Sequence, residues 1–313
     1  MTADKNGAPS EDFQNLLTKA DRYFEAENWA AALNYYQKAY DLKRSFGLNF
    51  ALVKTLLALS EVNTAVKVAQ EYEDLYIEDG SEKLQVYCNL LGDDHQFIAA
   101  LRLLPNLTTK MLQQMTQTAI EAMMADYQQI ASAKIERTIK ASFELVNGTN
   151  EKNLAVIAEL KRLPLSDYVV ALRLVTTNTY IHPLYKAELL SFIAPLKVAE
   201  TMPMQWFGED KTVRLDKLPE SHQTPALTAA VKEIQTQAHL DLFLEKTAVE
   251  TLNLQFLLLY PFSDTVVTDP QAWAQVLLQQ IQALSGVKTQ NQGYTTLIQW
   301  QKRLSDLIDQ LIY

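Results

Sequence analysis

The stretch from Ala20 to Ala39 constrains the fold of this chain more than any other segment. Its apolar residues follow a helical spacing in two runs, which predicts one helix, a tight turn and a second helix packed back on the first. Small residues at Ala20, Ala32 and Ala39 let the helices approach closely, and aromatic side chains fill the space between them. Such a pair cannot bury its apolar face alone, so we expect stacked neighbouring pairs, as in a solenoid.

A recurring alanine in the second helix of each predicted pair indicates a repeat. Ala32, Ala65 and Ala99 are separated by 33 and 34 residues. Neighbouring positions repeat at the same spacing, namely Tyr23, Leu56 and Leu90, and Tyr36, Ala69 and Leu103. A period near 34 residues is typical of a helix-turn-helix repeat that stacks into a superhelix.

On these residues, positions 13–104 resemble tetratricopeptide (TPR) repeats. Ala20, Tyr23, Ala32 and Tyr36 match consensus positions of the first repeat. The resemblance implies a mainly all-α fold, a right-handed α-α superhelical solenoid in which the first helix of each pair lines a concave groove. It also implies a protein-binding function, since solenoids of this type usually hold other proteins.

The second and third repeats match less well. Val53 and Tyr87 occupy a position that normally holds a small residue, and Pro105 cuts the third repeat short. Beyond Pro105 the repeat register is lost, but helical periodicity continues. We therefore expect TPR and TPR-like helix pairs over residues 11–196, preceded by a flexible tail over residues 1–10.

The pattern changes from helical to alternating after residue 196. Met202, Met204 and Trp206 alternate with other residues, Gly208-Glu209-Asp210 supplies a turn, and an alternating strand returns, which predicts a β-hairpin over residues 197–218. Trp206 and Phe207 could anchor this hairpin in the core or form an exposed docking knob. Because two strands alone are marginally stable in water, we expect the hairpin to lie against helices.

Residues 219–313 are predicted to form a C-terminal helical cap of the solenoid or a small helical domain. Asp269-Pro270 is a helix start signal, Gly286 suits the end of that helix, and an apolar stripe lies between them. Together with Trp206-Phe207-Gly208-Glu209 and the segment 257–262, the TPR start resembles a family of TPR proteins from low-GC Gram-positive bacteria. That resemblance implies a bacterial cytoplasmic protein and brings no catalytic motif.

Composition excludes several classes of function. The net charge is −9, and without a basic stripe this disfavours nucleic acid as a partner. No basic amphipathic helix suits an anionic membrane, and the first residues lack the apolar core of a signal peptide. With 48% hydrophobic residues and one cysteine, we expect a folded cytoplasmic protein without an intrachain disulfide.

No reactive constellation is visible, so we expect no enzyme activity, no cofactor and no metal. The four histidines, His95, His182, His222 and His239, do not pair with a second ligand at helical spacing. Cys88 lies in an apolar helical stretch, where a buried or groove-lining thiol is the ordinary outcome. Neither a serine nucleophile motif nor a glycine-rich phosphate loop is present.

The resemblance assigns the candidate binding site to the concave groove. The predicted groove residues are Leu17, Asp21 and Phe24 in the first pair, Phe50, Lys54 and Leu57 in the second, and Leu84, Cys88 and Leu91 in the third. Some TPR proteins grip a terminal carboxylate with basic and amide side chains. Asp21 and Phe24 do not suit such a clamp, so we expect an apolar peptide or an amphipathic helix instead.

Three functions remain open at this point. The first is a non-catalytic protein-protein interaction scaffold or adaptor, because the recognisable motif is a recognition fold. The second is a regulatory peptide receptor, although no DNA-binding helix-turn-helix is visible. The third is an enzyme with a site in the C-terminal region. The groove could also be covered by the chain's own hairpin or terminal helices, since large exposed apolar patches are uncommon in monomers.

Overall fold

The structure is a computed structural model that describes residues 11–221, 223–236, 241–284 and 295–311. The described residues are mainly helical, with one two-stranded antiparallel hairpin, as predicted. The predicted tail over residues 1–10, His222, His239 and the helix end at Gly286 lie outside them. The chain divides into two compact units, residues 1–132 with 162–165, and residues 133–161 with 166–313.

The first unit consists of helix pairs followed by one long helix. Its helices are α1 (Glu11–Glu25), α2 (Trp29–Leu42), α3 (Phe46–Ala58), α4 (Val62–Gln70), α5 (Glu73–Asp79), α6 (Glu82–Asp93), α7 (Phe97–Leu103) and α8 (Lys110–Ile130). Consecutive helices pack on each other from α1 to α4, and α6 packs against α4, α5, α7 and α8. The paired helices agree with the predicted repeat, whereas the right-handed superhelix stays a prediction.

The same turn joins the two helices of each of the three pairs. Glu27, Ser60 and His95 adopt left-handed backbone conformations with φ of 56°, 60° and 60°. The next residue in each turn donates its N–H to the carbonyl five positions earlier, at 2.9, 2.9 and 2.7 Å. This is the pattern of a Schellman helix end, which satisfies carbonyls that the helix leaves unpaired. The three turns are 33 and 35 residues apart.

The third pair is therefore shifted by one residue from the predicted register. Ala100, rather than Ala99, occupies the position of Ala32 and Ala65, and all three equivalent alanines are fully buried. Likewise Cys88, rather than Tyr87, occupies the position equivalent to Ala20 and Val53, and all three residues are fully buried. The apparent mismatch at Tyr87 disappears, because the small Cys88 fills the site of close helix approach.

The shift coincides with a break in the second helix of the second pair. The α4 helix ends at Gln70, and the short helix α5 follows. Asn49, which is fully buried, holds this break in place. Its Nδ2 donates to the Val68 carbonyl at 2.6 Å, and its Oδ1 accepts from Tyr76 Oη at 2.9 Å. One side chain thus satisfies a carbonyl near the end of α4 and a buried hydroxyl of α5.

The second unit contains the remaining elements. They are α9 (Ser132–Ala141), α10 (Asn150–Leu160), α11 (Leu165–Thr177), α12 (Pro183–Ile193), β1 (Thr201–Trp206), β2 (Glu209–Arg214), α13 (Pro225–Thr236), α14 (Leu242–Leu259), α15 (Ser263–Val266), α16 (Pro270–Leu284) and α17 (Thr295–Asp309). Short 3-10 helices follow α9, α12 and β2. The predicted domain boundaries at residues 196 and 218 remain predictions.

The predicted hairpin is confirmed. β1 and β2 pair antiparallel with Met202 opposite Val213 and Trp206 opposite Glu209. The turn is Phe207-Gly208 rather than the predicted Gly208-Glu209-Asp210, because Glu209 and Asp210 pair with β1. Phe207 and Gly208 have φ of 50° and 86°, as a tight two-residue turn with the twist of a hairpin requires. Met202, Met204, Trp206 and Val213 are buried, so the alternating residues share one covered face.

Helices of the second unit cover the buried face of the hairpin. Thr176 of α11 donates to the Pro203 carbonyl at 3.0 Å, and Lys186 of α12 donates to the Gln205 carbonyl at 2.8 Å. Trp206 is 5% exposed, and its ring lies 5.2 Å from Phe262 and 5.9 Å from Trp300 between centroids. Trp206 is therefore a core anchor of the hairpin rather than an exposed knob.

The helices after the hairpin pack around Trp273. The α13 helix packs against α14 and α16, and α17 packs against α14 and α16. The Trp273 indole donates to Gln255 Oε1 at 2.8 Å, and Gln301 Nε2 donates to the Trp273 carbonyl at 2.9 Å. Within the described ranges, no helix has both the length and the apolar character needed to cross a bilayer.

Candidate functional site

The candidate site is a group of six side chains on α1 and α3, here called the α1–α3 surface. Its members are Leu17, Asp21 and Phe24 on α1, and Phe50, Lys54 and Leu57 on α3. The spacing of four and then three residues puts each set on one helical face. The four apolar members are half-buried, and the two charged members are exposed. The surface thus keeps apolar side chains partly accessible beside one acid and one base.

Aromatic neighbours hold Phe24 in place. Its ring meets the edge of Trp29 at 4.9 Å and the edge of Tyr36 at 6.3 Å between centroids. Tyr36 is in turn fixed by its hydroxyl, which donates to Asp21 Oδ1 at 2.7 Å. Burial, followed by the hydrogen bond to Asp21, raises the pKa of Tyr36, so this hydroxyl stays a donor at neutral pH. The Phe24 ring is therefore ordered before any partner arrives.

Lys54 links the two helices of the surface. Its Nζ lies 5.1 Å from the centroid of Phe24 on α1 and 5.2 Å from the centroid of Phe50 on α3. An ammonium at this distance is attracted by the negative face of each ring. Phe50 is positioned by Tyr76, whose ring lies at 6.2 Å in an edge-on arrangement. Among the described residues, no carboxylate forms an ion pair with Lys54, although ten such pairs occur elsewhere.

The third set of predicted groove residues lies in the core. Leu84 and Cys88 are fully buried and Leu91 is 2% exposed, because the third pair starts one residue later than the sequence period predicts. The positions equivalent to the first two sets are Gln85, Asn89 and Gly92. Burial raises the pKa of Cys88 to about 12, which keeps the thiol protonated and unreactive at neutral pH.

The one-residue shift of the third pair can be recognised in the sequence from its small residues. Ala20 and Cys88 are the small side chains of their helices, and aligning them fixes the third pair without reference to a constant period. Gln85 and Asn89 then extend the face of the α1–α3 surface by two amides in place of apolar groups. The face becomes more polar from the second pair to the third, and the apolar anchors are confined to α1 and α3.

The remaining candidates for chemistry are engaged in packing. The His95 ring lies 4.1 Å from the Tyr127 ring and 5.8 Å from the Phe97 ring between centroids. His182 contacts the Leu307 carbonyl through Nε2 at 3.1 Å and accepts the Leu184 N–H through Nδ1 at 3.2 Å. No group of three or more metal-ligating side chains occurs within the described part of the chain. The α1–α3 surface, which is formed by the first two sets of predicted groove residues, is therefore the candidate site.

Three comparisons bear on what this chain resembles. Searches against protein-family models, curated proteins and solved structures found no match. The resemblance to TPR proteins thus depends on the residues of the chain and on its repeated helix pairs.

Proposed function

We propose that this chain is a non-catalytic scaffold or adaptor that binds an apolar peptide or an amphipathic helix on the α1–α3 surface. The observation that carries the proposal is Lys54, exposed and unpaired among the described carboxylates, between the half-buried rings of Phe24 and Phe50. An apolar surface with one central cation suits a segment that offers apolar side chains and one acidic group.

Preorganisation supports binding at this surface. Phe24 is held by Trp29 and Tyr36, and Phe50 by Tyr76, so a partner does not have to order these rings. Association otherwise loses about 0.5–1.5 kcal/mol for each flexible side chain that it immobilises. Fixed aromatic residues near the centre of a contact are typical energetic hot spots. We expect Phe24 and Phe50 to contribute more to affinity than Leu17 and Leu57.

The single cation defines the chemistry of the partner. An acidic side chain placed over Lys54 would form a charge-assisted contact that the described residues of the free protein do not supply. The partner we propose is an amphipathic helix with apolar residues at i, i+3 or i+4, and i+7, and one Asp or Glu at the border of the apolar face. A carboxylate clamp for a chain terminus does not fit, because Asp21 accepts the Tyr36 hydroxyl on the same face.

Site-specific cross-linking tests this proposal. A photoreactive phenylalanine analogue replaces Leu57, and the matched control places it at Leu42, which is 60% exposed near the end of α2. After irradiation in native lysate, mass spectrometry identifies the segment joined to position 57. We expect an amphipathic segment with an acidic border residue, captured from position 57 and not from position 42. Equal capture at both positions would refute the proposed surface.

A synthetic peptide of the captured segment completes the test. We expect Phe50→Ala to weaken its binding by about tenfold, which corresponds to about 1.4 kcal/mol. Phe143→Ala removes another phenylalanine, 54% exposed and in the second unit, and should leave affinity unchanged. Capture of a free short peptide instead of a protein segment would favour the regulatory receptor. An affinity that Phe50→Ala does not alter would contradict the role of the ring.

A further inference from the structure

The second unit contains a cleft of about 670 Å³ that the proposed function does not use. The loop before α10, the loop before α12 and the end of α17 form its walls. A volume of this size is typical of small-molecule sites, which measure about 300–1,000 Å³. Each lining residue belongs to the second unit, so the cleft is a feature of that unit alone.

Among the residues that the structure describes, the lining of this cleft carries no Asp, Glu, Lys or Arg. That absence is notable in a chain with 65 charged side chains, 28 basic and 37 acidic. Hydrogen-bonding groups are nevertheless abundant, and they come from asparagine, threonine, tyrosine, glutamine and histidine. A charged ligand would meet no opposite charge on the described lining residues, whereas a neutral ligand with several hydrogen-bonding groups would find partners.

A network of neutral side chains fixes the floor of the cleft. Asn153 Nδ2 donates to the Gly148 carbonyl at 3.1 Å and to Tyr185 Oη at 3.2 Å. Tyr185 Oη donates to Asn150 Oδ1 at 2.6 Å, and Asn150 Nδ2 donates to the Leu311 carbonyl. The network ties α10 and α12 to the end of α17 through contacts distant in sequence. Its members are preorganised, since each already holds a neighbour.

Asn153 leaves one acceptor of this network unused. The residue is 4% exposed and lines the cleft, and no described group donates to its Oδ1. A buried acceptor without a donor is energetically unfavourable. This oxygen is buried against Gly148, so Asn153 contributes to the fixed network rather than to ligand contacts. Gly148 permits the arrangement, because a Cβ there would overlap with the same Oδ1.

The start of α12 does not make the cleft an anion site. Pro183, the first residue of α12, has no N–H, and the N–H of Leu184 already donates to His182 Nδ1. The α17 end brings carbonyl oxygens of Leu307 and Leu311 to the same walls, and these repel an anion. These carbonyls, together with the amide and hydroxyl side chains of the lining, favour uncharged groups that donate and accept, as hydroxyls do.

From this geometry we infer that the cleft binds a neutral, hydroxyl-rich small molecule of the mono- or disaccharide class. Tyr180, which is 80% exposed and lines the cleft, supplies an aromatic face on which the C–H side of a sugar ring stacks. Asn147 and Gln310 line the cleft and provide amides that can donate to and accept from ligand hydroxyls. The inference does not depend on peptide binding by the first unit.

The test is a protein-observed NMR titration of the full chain with D-glucose and maltose, and separately with inorganic phosphate, acetate and ethylammonium. We expect the backbone amides of Gly148, Thr149, Asn150 and Tyr180 to shift saturably with at least one of the two sugars at millimolar concentration. The charged probes should leave these amides unshifted. Phosphate or acetate shifting them in place of the sugars would overturn the inference, and so would no shift with any probe.

A variant at an exposed position, with a matched control, tests whether the sugar-induced shifts come from binding in the cleft. Tyr180→Ala removes an exposed ring, and we expect sugar affinity to fall roughly five- to tenfold through the lost stacking. Phe243→Ala removes a ring that is 76% exposed in the same unit but does not line the cleft, and it should leave sugar affinity unchanged. Sugar-induced shifts that Tyr180→Ala does not weaken would contradict the proposed site.

Discussion

Lys186 is a buried lysine without a carboxylate partner among the described residues. It is 3% exposed, and its Nζ donates to the Gln205 carbonyl of β1. Burial lowers the pKa of Lys186 from 10.5 to about 8. The charged form is thus disfavoured in the folded state, and the ammonium at neutral pH opposes folding. Its hydrogen bond holds the hairpin to α12 at this energetic cost.

The sign of the pH effect follows from the two pKa values of Lys186. Between about 8 and 10.5 the unfolded chain binds more protons than the folded chain, so the stability contribution of Lys186 rises with pH across this window. Below about 8 both states are protonated, and the penalty is constant. The difference between the two pKa values corresponds to a free-energy penalty on folding of about 3 kcal/mol.

Replacing this side chain should therefore change how stability depends on pH. We predict that Lys186→Met is most favourable relative to wild type below pH 8, and that the difference shrinks by up to about 3 kcal/mol as pH rises to 10.5. The lost bond to Gln205 costs about 1–3 kcal/mol at every pH, so the slope is the readout. Urea unfolding at pH 7 and at high pH measures it, and parallel pH profiles for the two proteins would contradict the burial argument.

At the scale of elements, the three left-handed turns are the feature that the helix pairs share. Ser60, at φ 60° between α3 and α4, is exposed, so its substitutions report backbone strain rather than packing. A non-glycine residue in this region costs about 1–2 kcal/mol per residue, whereas glycine adopts it freely.

Two substitutions at Ser60 should change the free energy of unfolding in opposite directions. We predict that Ser60→Gly raises the free energy of unfolding by up to about 1 kcal/mol, and that Ser60→Val lowers it by about 1–2 kcal/mol. The control is Ser305→Gly, an exposed position inside α17, which should lose about 0.5–1 kcal/mol. Thermal and urea unfolding measure all three. If Ser60→Gly destabilised as much as Ser305→Gly, the left-handed turn would be refuted.

The helix pairs could be predicted where their spacing is constant. Leu17, Asp21 and Phe24 are each followed 33 residues later by Phe50, Lys54 and Leu57, and the structure puts both sets on corresponding faces. The third pair could not be placed by the same rule, because the break after Gln70 and the insertion of α5 change the spacing to 35. Asn49 stabilises that break through contacts with residues 19 and 27 positions away.

The cleft of the second unit could not be predicted from local patterns. It depends on contacts such as His182 with Leu307 and Asn150 with Leu311, which join positions 125 and 161 residues apart. Neither asparagine nor threonine has a periodicity that marks such a site. By contrast, the hairpin was predictable, because alternation and a Gly208 turn are local signals that hold wherever the strands pack.

At the scale of the whole molecule, the two proposed sites belong to different compact units. The α1–α3 surface lies in the first unit, and the neutral cleft lies in the second. Because the sites share no residue, each variant should affect only its own ligand. We expect Tyr180→Ala to leave peptide affinity unchanged and Phe50→Ala to leave sugar-induced shifts unchanged. This independence separates a failure of one proposal from a failure of the other.

We expect Lys54, between Phe24 and Phe50, to select an acidic residue on an otherwise apolar partner segment. The most direct measurement is a charge-swap cycle by calorimetry, with the captured peptide and Lys54→Glu. We predict that Lys54→Glu weakens binding by about tenfold or more, and that changing the peptide's acidic residue to lysine restores it. If the swapped peptide binds Lys54→Glu no better than the original peptide does, the two charges do not meet, and the account is contradicted.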